Sequence, residues 1–348
     1  MSGDGASVSP TRPCAVIVGC AGECLSPDER RFFAGAQPLG FVLFARNCKN
    51  PDQVRALVAE MRDAVGRTDA PVLIDQEGGR VARLRPPQWR NYPAAARLAA
   101  LPDPAAGEAV GLGARLIADD LARLGISVDA APVLDLPAEG ADPVIGDRAY
   151  SAEPGRTARL GRAVCEGLLA GGVLPIVKHM PGHGRARVDS HKALPRVDAS
   201  AAELAAHDFA PFRALADMPW AMTAHIVFAA IDGSAPATMS PRLISDVIRR
   251  DIGFGGVLVS DDISMGALDG SLGERTRRTL AAGCDLVLHC TGVLSEMEEV
   301  AAAAAPLTDA AAARVARGEA LRRQSSQPFD RAAAEARFGA LVAEGASA

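Results

Sequence analysis

No hydrophobic run in the 348 residues approaches the roughly 18 that a membrane-crossing helix needs, so no such helix is expected. There is no Cys-x-x-Cys. Seven cysteines are too few, and odd in number, for a disulfide scaffold, and Cys20-x-x-x-Cys24 has no matching Cys/His pair beside it. They read as reduced thiols, which points to the cytoplasm. An excess of positive charge is also missing: 37 Lys and Arg stand against 42 Asp and Glu, a formal charge of −5. A nucleic-acid binder usually shows the opposite balance, so neither nucleic acid nor a membrane surface is an expected partner. There is no internal repeat and no linker.

The N-terminus holds one ambiguity. Arg12 precedes the apolar run from Cys14 to Ala21, and Ile17-Val18-Gly19-Cys20 looks like a bacterial lipoprotein cleavage site. Residues 1–13 carry only one arginine as well as Asp4, and the apolar run is short for a signal core. The run is read instead as a first β-strand.

What is present is alternation. Eight short apolar runs recur: CAVIVG from Cys14, GFVLFAR from Gly40, PVLID from Pro71, ISVDAAPVLDL from Ile126, LPIVKH from Leu174, AMTAHIVF from Ala221, GVLVSDD from Gly256 and DLVLHC from Asp285. They are continuously apolar rather than alternating, as in parallel strands covered on both faces. Helical spacing falls between them at 52–65, 108–124, 154–170 and 242–250, the last with Ser240 as N-cap. The Ala-rich stretches 297–313 and 331–346 also favour helix, packed on the exterior. Eight β/α units predict an α/β fold, a closed TIM-type (β/α)8 barrel forming one domain over residues 1–348. Its core spans about 14–305, with extra C-terminal helices over 306–348. A doubly wound sheet is the alternative.

Barrel enzymes build their sites at the C-terminal ends of the strands. Here those ends are polar: Arg46-Asn47, Asp75-Gln76-Glu77, Asp135, Lys178-His179, His225, Ser260-Asp261-Asp262 and His289. Five of the six histidines lie on these ends or in the loop after Lys178. So many titratable groups on one face point to an enzyme.

The residues alone leave its chemistry open. Asp75 and Asp261 on different strands suit paired acid–base work at a glycosidic bond. Lys178 suits a Schiff base. His179-x-x-x-His183 with Asp189-x-His191 suits a metal, although Pro181, Gly182 and Gly184 break the helix such a pair wants. Asp189 and His191 are two apart, which in an extended or turn segment lets the carboxylate reach the imidazole and ready it for proton transfer; a solvated loop histidine is the alternative.

Longer motifs narrow the reading. They are IDQEGGRVARL at 74–84, IGDRAY at 145–150, KHMPGHGRARVDSHKALP at 178–195, TAHIVF at 223–228, PATMSP at 236–241 and VLVSDDISMGAL at 257–268. In this order they resemble glycoside hydrolase family 3, and within it the single-domain bacterial β-N-acetylglucosaminidases of peptidoglycan recycling. The resemblance covers about Cys14 to Gly292. It implies Asp261 as nucleophile, with Asp262 structural, and His191 with Asp189 as the acid/base dyad. It implies Asp75, Arg83, Arg148, Lys178 and His179 as the sugar-binding set, with Lys178 no longer needed for a Schiff base. The arginines alternatively brace the rim by ion pairs, as Glu77 and Arg80 are expected to do. His183 and His225 are expected to support the pocket, and His289 and Cys290 stay unassigned.

The implied reaction is metal-independent, cofactor-free removal of terminal GlcNAc from GlcNAc-1,6-anhydro-MurNAc and its peptide forms, with no obligate protein partner. A β-glucosidase of the same family and a non-catalytic sugar-binding barrel are the alternatives. The low aromatic content, 4%, suits a small pocket for one sugar rather than a long stacking cleft. One departure stands out. Arg185-Ala186-Arg187 is basic where relatives often carry an acidic residue or threonine, within the acid/base loop.

Overall fold

The computed structural model describes residues 12–344. Most of the polar N-terminal segment 1–13, and the last residues of the helix expected over 331–346, lie outside that range. Eight parallel strands close into a ring: β1 (Cys14–Val18), β2 (Pro38–Leu43), β3 (Val72–Ile74), β4 (Val128–Asp129), β5 (Leu174–Met180), β6 (Trp220–Thr223), β7 (Val257–Asp262) and β8 (Leu286–His289). Each strand pairs with its neighbour in sequence, and Val16 opposite Val287 joins β1 to β8. The doubly wound alternative is thereby excluded.

The continuous apolar runs follow from burial on both faces. In β1, Ile17 joins an inner cluster with Val42, Leu73, Ile176, Met222, Val259 and Leu288. Val16 and Val18 instead join an outer cluster with Leu57, Met61 and Val300 from the helices. Truncating one such side chain to alanine costs about 2–5 kcal/mol.

The helices begin where local chemistry says they should. Asn50 caps Pro51–Val65 through the Gln53 N–H, and Gly66 ends it in the left-handed region at φ 62°. Ser26 with Glu29 and Ser271 with Glu274 form capping boxes. Ser240 accepts the Leu243 N–H at 3.0 Å, as expected, but the helix it opens, Leu243–Asp251, is a π-helix.

Four runs differ from expectation. Of the run from Ile126 only Val128–Asp129 forms a strand of the ring. The run from Gly40 leaves the ladder after Leu43, because the Asn47 carboxamide accepts the Phe44 N–H and folds Ala45–Asn47 into a 3₁₀ turn. The run from Ala221 leaves the barrel after Thr223, and Val227–Phe228 pairs with Arg196–Val197 in a small separate sheet. The stretch 297–313 is two helices, Leu294–Ala303 and Asp309–Ser325, and Thr308 caps the second.

The segment between these two helices pairs with β1: Ala15 N–H donates to Ala305 O at 3.0 Å, and Leu307 N–H to Pro13 O at 2.9 Å. The tail is therefore not merely exterior. Leu307 and Ala311 join the inner cluster. Arg331–Glu344 buries Phe338 beside Gly113, where a methyl group would lie 3.0 Å from its ring.

Candidate active site

The turn after β3 sets one wall. Gly78 and Gly79 have φ of 98° and 57°, and a Cβ on Gly78 would lie 2.5 Å from Pro93 O. These positions require glycine. The turn brings residues 83 and 84 back against residue 76: the Gln76 side chain accepts the Arg83 and Leu84 N–H groups at 2.8 and 3.0 Å and donates to Leu84 O.

Arg83 then meets Asp75 at 2.9 Å, and Asp75 meets Lys178 Nζ at 2.9 Å. Lys178 also reaches Glu77 at 2.7 Å, and Glu77 takes both arms of Arg148 at 2.8 and 2.9 Å. Five charges thus alternate in one row, three positive and two negative. Burial opposes the Asp75 carboxylate, but Lys178 and Arg83 hold it well below the usual range. The same balance, with Lys178 and Arg148 as the cations, leaves Glu77 at about 2. Burial works against the charge on Lys178, yet Asp75 and Glu77 raise its affinity for a proton. A lysine locked as a cation between two carboxylates is a donor to hydroxyls, not an amine nucleophile, so the Schiff-base reading loses its reagent.

The brace expected of Glu77 and Arg80 is divided differently. Glu77 pairs with Arg148, while Arg80 pairs with Asp147 at 2.9 Å and with carbonyls of residues 143–145. Both site arginines are at once ion-paired and exposed to the cavity.

The end of β5 forms the second wall. The Lys178–His179 peptide is cis, and both side chains line the cavity. His179 Nδ1 meets the fully buried Asp135 at 2.7 Å, which fixes the tautomer and leaves Nε2 for a ligand. Asp135 also accepts the His183 N–H at 2.6 Å. His183 Nε2 turns to Ser190 Oγ at 3.1 Å, and burial lowers its pKa to about 4. The two histidines therefore serve different partners rather than one metal. His225 lies between Thr238 Oγ1 at 2.7 Å and Asp262 O at 3.0 Å, a supporting position as expected.

Asp261 closes the third wall at the end of β7. Burial disfavours its charge, but the imidazoles of His179 and His225, the Asp262 N–H and Lys178 hold it below the ordinary carboxylate value. Asp262 binds Ser264 and the Cys290 N–H and so ties β7 to β8.

Across the mouth, Asp189 Oδ1 accepts both the backbone N–H of His191, at 2.9 Å, and its ring Nδ1, at 2.8 Å. Seven of the eight expected residues, Asp75, Arg83, Arg148, Lys178, His179, His191 and Asp261, line one cavity of ≈ 290 Å³. Asp189 stands behind His191.

The sequence reading passed over Asp135, Glu77 and Ser190 as site residues. Asp135 and Glu77 each carried a signal, a carboxylate at a strand end, and Ser190 carried none. It also passed over Asp129, buried behind Glu77, whose Oδ2 has no hydrogen-bonding partner among the described residues. Burial pushes Asp129 up to about 7.

A barrel with two acids and a histidine on its C-terminal rim fits many hydrolases. The model of the glycosyl hydrolase family 3 N-terminal domain matches residues 28–318. The chain belongs to glycosyl hydrolase family 3. A beta-hexosaminidase of Alkalilimnicola ehrlichii is 39% identical over 282 residues, 79% of this chain and 80% of its own. One from Methylococcus capsulatus is 38% identical over 278 residues, 77% and 80% of the two chains. Among solved structures, NagZ from Neisseria gonorrhoeae in complex with N-trifluoroacetyl-D-glucosamine superposes with a TM-score of 0.84 at 33% identity. The match covers 95% of this chain and 99% of that one. This family 3 chain is an enzyme, a glycoside hydrolase, and its single-domain barrel is the architecture of those neighbours. Among the described residues no helix is long and apolar enough to cross a membrane.

Proposed function

We propose that this family 3 hydrolase is a retaining exo-β-N-acetylglucosaminidase that removes terminal GlcNAc from GlcNAc-1,6-anhydro-MurNAc and its peptide forms in peptidoglycan recycling. The coarser activity, β-hexosaminidase, is that of its relatives. The observation that carries the finer reading is the single cavity lined by Asp261, His191 and four members of the charged row, Arg83, Asp75, Lys178 and Arg148. Its volume suits one sugar ring, and the Neisseria gonorrhoeae relative was solved with an N-acylglucosamine. All seven cysteines are free, which supports a reducing compartment, the cytoplasm.

In this mechanism the ionised Asp261 attacks the anomeric carbon. His191, oriented by Asp189 through Nδ1, gives a proton from Nε2 to the leaving oxygen. The glycosyl–enzyme is then opened by a water that His191 deprotonates, and two inversions retain the β configuration. Asp75 accepts from ring hydroxyls, and Lys178, His179, Arg83 and Arg148 donate to them. The positive excess of the row, three cations to two carboxylates, leaves donor capacity for a neutral sugar.

Trapping with a 2-fluoro or 5-fluoro glycosyl donor, followed by peptide mapping, tests the assignment. Label is expected on Asp261, and label elsewhere overturns it. Parallel assays on p-nitrophenyl GlcNAc and p-nitrophenyl glucoside test the sugar, and preference for the glucoside assigns the chain to the β-glucosidase alternative.

A further inference from the structure

The loop that carries His191 is docked on the segment that carries Asp261. Gly266 N–H donates to His191 O at 3.3 Å, and Ala267 N–H donates to Ser190 O at 3.1 Å. From the other side, Ser190 Oγ meets His183 Nε2 at 3.1 Å, and His183 N–H is held by Asp135. The loop is thus tied down on both sides of Ser190.

The platform beneath it is stiff. From Asp262 onward the chain turns tightly, with Met265 N–H donating to Asp262 O at 3.1 Å and Leu268 N–H to Met265 O at 3.3 Å. Arg275 binds the carbonyls of Ile263 and Met265 at 2.8 and 3.2 Å. Only four residues separate Asp261 from the contact point.

At that point there is room for hydrogen and nothing larger. A Cβ built on Gly266 would lie 2.9 Å from His191 O and 3.2 Å from Lys192 O. Both are backbone atoms, which do not swing aside as the end of a flexible side chain does. Gly266 is otherwise exposed, and its φ is outside the left-handed region, so backbone conformation does not demand glycine there. The demand comes from the His191 loop.

The geometry points to Gly266 as a positioning residue that sets the distance between the proton donor and the nucleophile. This inference rests on the proposed roles of His191 and Asp261. Adding a methyl group lifts the His191 carbonyl and with it the imidazole. Asp261 and the charged row stay where they are. The defect then falls on protonation of the leaving group alone.

The test compares Gly266→Ala, Gly266→Val and His191→Ala on two β-GlcNAc donors. A 2,4-dinitrophenyl glycoside leaves without a proton, whereas an alkyl glycoside needs one. The ratio kcat/KM reports formation of the glycosyl–enzyme. For Gly266→Ala, kcat/KM is expected to stay within about threefold of the parent on the dinitrophenyl donor and to fall about 10- to 100-fold on the alkyl donor. Gly266→Val is expected to widen the gap, with thermal melts matching the parent in both.

Equal losses on both donors make Gly266 merely structural and overturn the inference. Parent-like kinetics in both glycine variants, with His191→Ala selective, overturn it as well. If His191→Ala itself shows no selectivity, the acid/base reading beneath the inference is what falls, and that outcome is visible in a different variant.

Discussion

The two sides of the cavity are built on opposite terms. On the side proposed to grip the sugar, Lys178 and its partner Glu77 are 2% and 8% exposed, locked in a row of ion pairs. On the side proposed to transfer the proton, His191 is 64% exposed and Lys192 83%. Val188 and Leu194 in that same loop are among the few large apolar side chains left open to solvent. Buried charges contribute to both folding and binding, since removing one strands its partners in a low-dielectric site. An exposed histidine held by one carboxylate contributes little to stability. The two proposed duties, gripping and proton transfer, are therefore expected to separate by mutation.

The sharpest way to break this contrast is Lys178→Met. It leaves Asp75 and Glu77 facing each other with one arginine each, and a loss of about 3 kcal/mol or more is expected, read as a lower melting temperature together with lost activity. A stable, inactive variant would mean that the row grips the sugar without supporting the fold.

His191→Ala should do the reverse. Stability is expected to stay within about 0.5 kcal/mol of the parent. Turnover on donors that need protonation should fall about 10²- to 10⁴-fold. A clear drop in melting temperature would show that the open side also holds the barrel together.

A smaller effect is expected from Asp129→Asn. The folded value of Asp129 is about 7, raised chiefly by burial, whereas an unfolded aspartate titrates near about 3.9. Between these values the folded state keeps a proton that the unfolded state has lost, so stability falls as pH rises from about 4 to about 7. A carboxamide cannot ionise, so the variant should gain melting temperature relative to the parent at pH 8 and lose that advantage near pH 4. Equal pH slopes in the two proteins would place the ionisation elsewhere.

Much of this molecule was legible in its sequence, because burial on both faces writes parallel strands as continuous apolar runs and the barrel places its polar residues at their ends. Pro154–Ala170 matches the expected helix at both termini. What was not legible depends on partners far away in the chain. The run after Thr223 reads as a strand, but its ladder partner is Arg196–Val197 rather than the barrel, and no local pattern encodes that choice.

The same holds in the site. Lys178 and His179 announce themselves, while the duty of Asp135 emerges only when His179 and His183, more than 40 residues on, fold over it. The partner exchange between Glu77 and Arg80 is likewise a matter of which acid each guanidinium reaches in space. Gly266 lies in the motif at 257–268, yet nothing in the string marks it as the floor beneath His191.

The pairing of β1 with both β8 and the segment at Ala305–Leu307 also fixes an order of events during synthesis. β1 has one neighbour available early, β2, but its other edge stays open until residues 286–289 have been made. The Ala15 N–H waits longer still, for Ala305. Until then β1 carries an unpaired apolar edge, the form of exposure that invites association with other chains. Closure of the ring therefore waits for residues 286–307, and it is that distant segment that makes the edge of β1 safe.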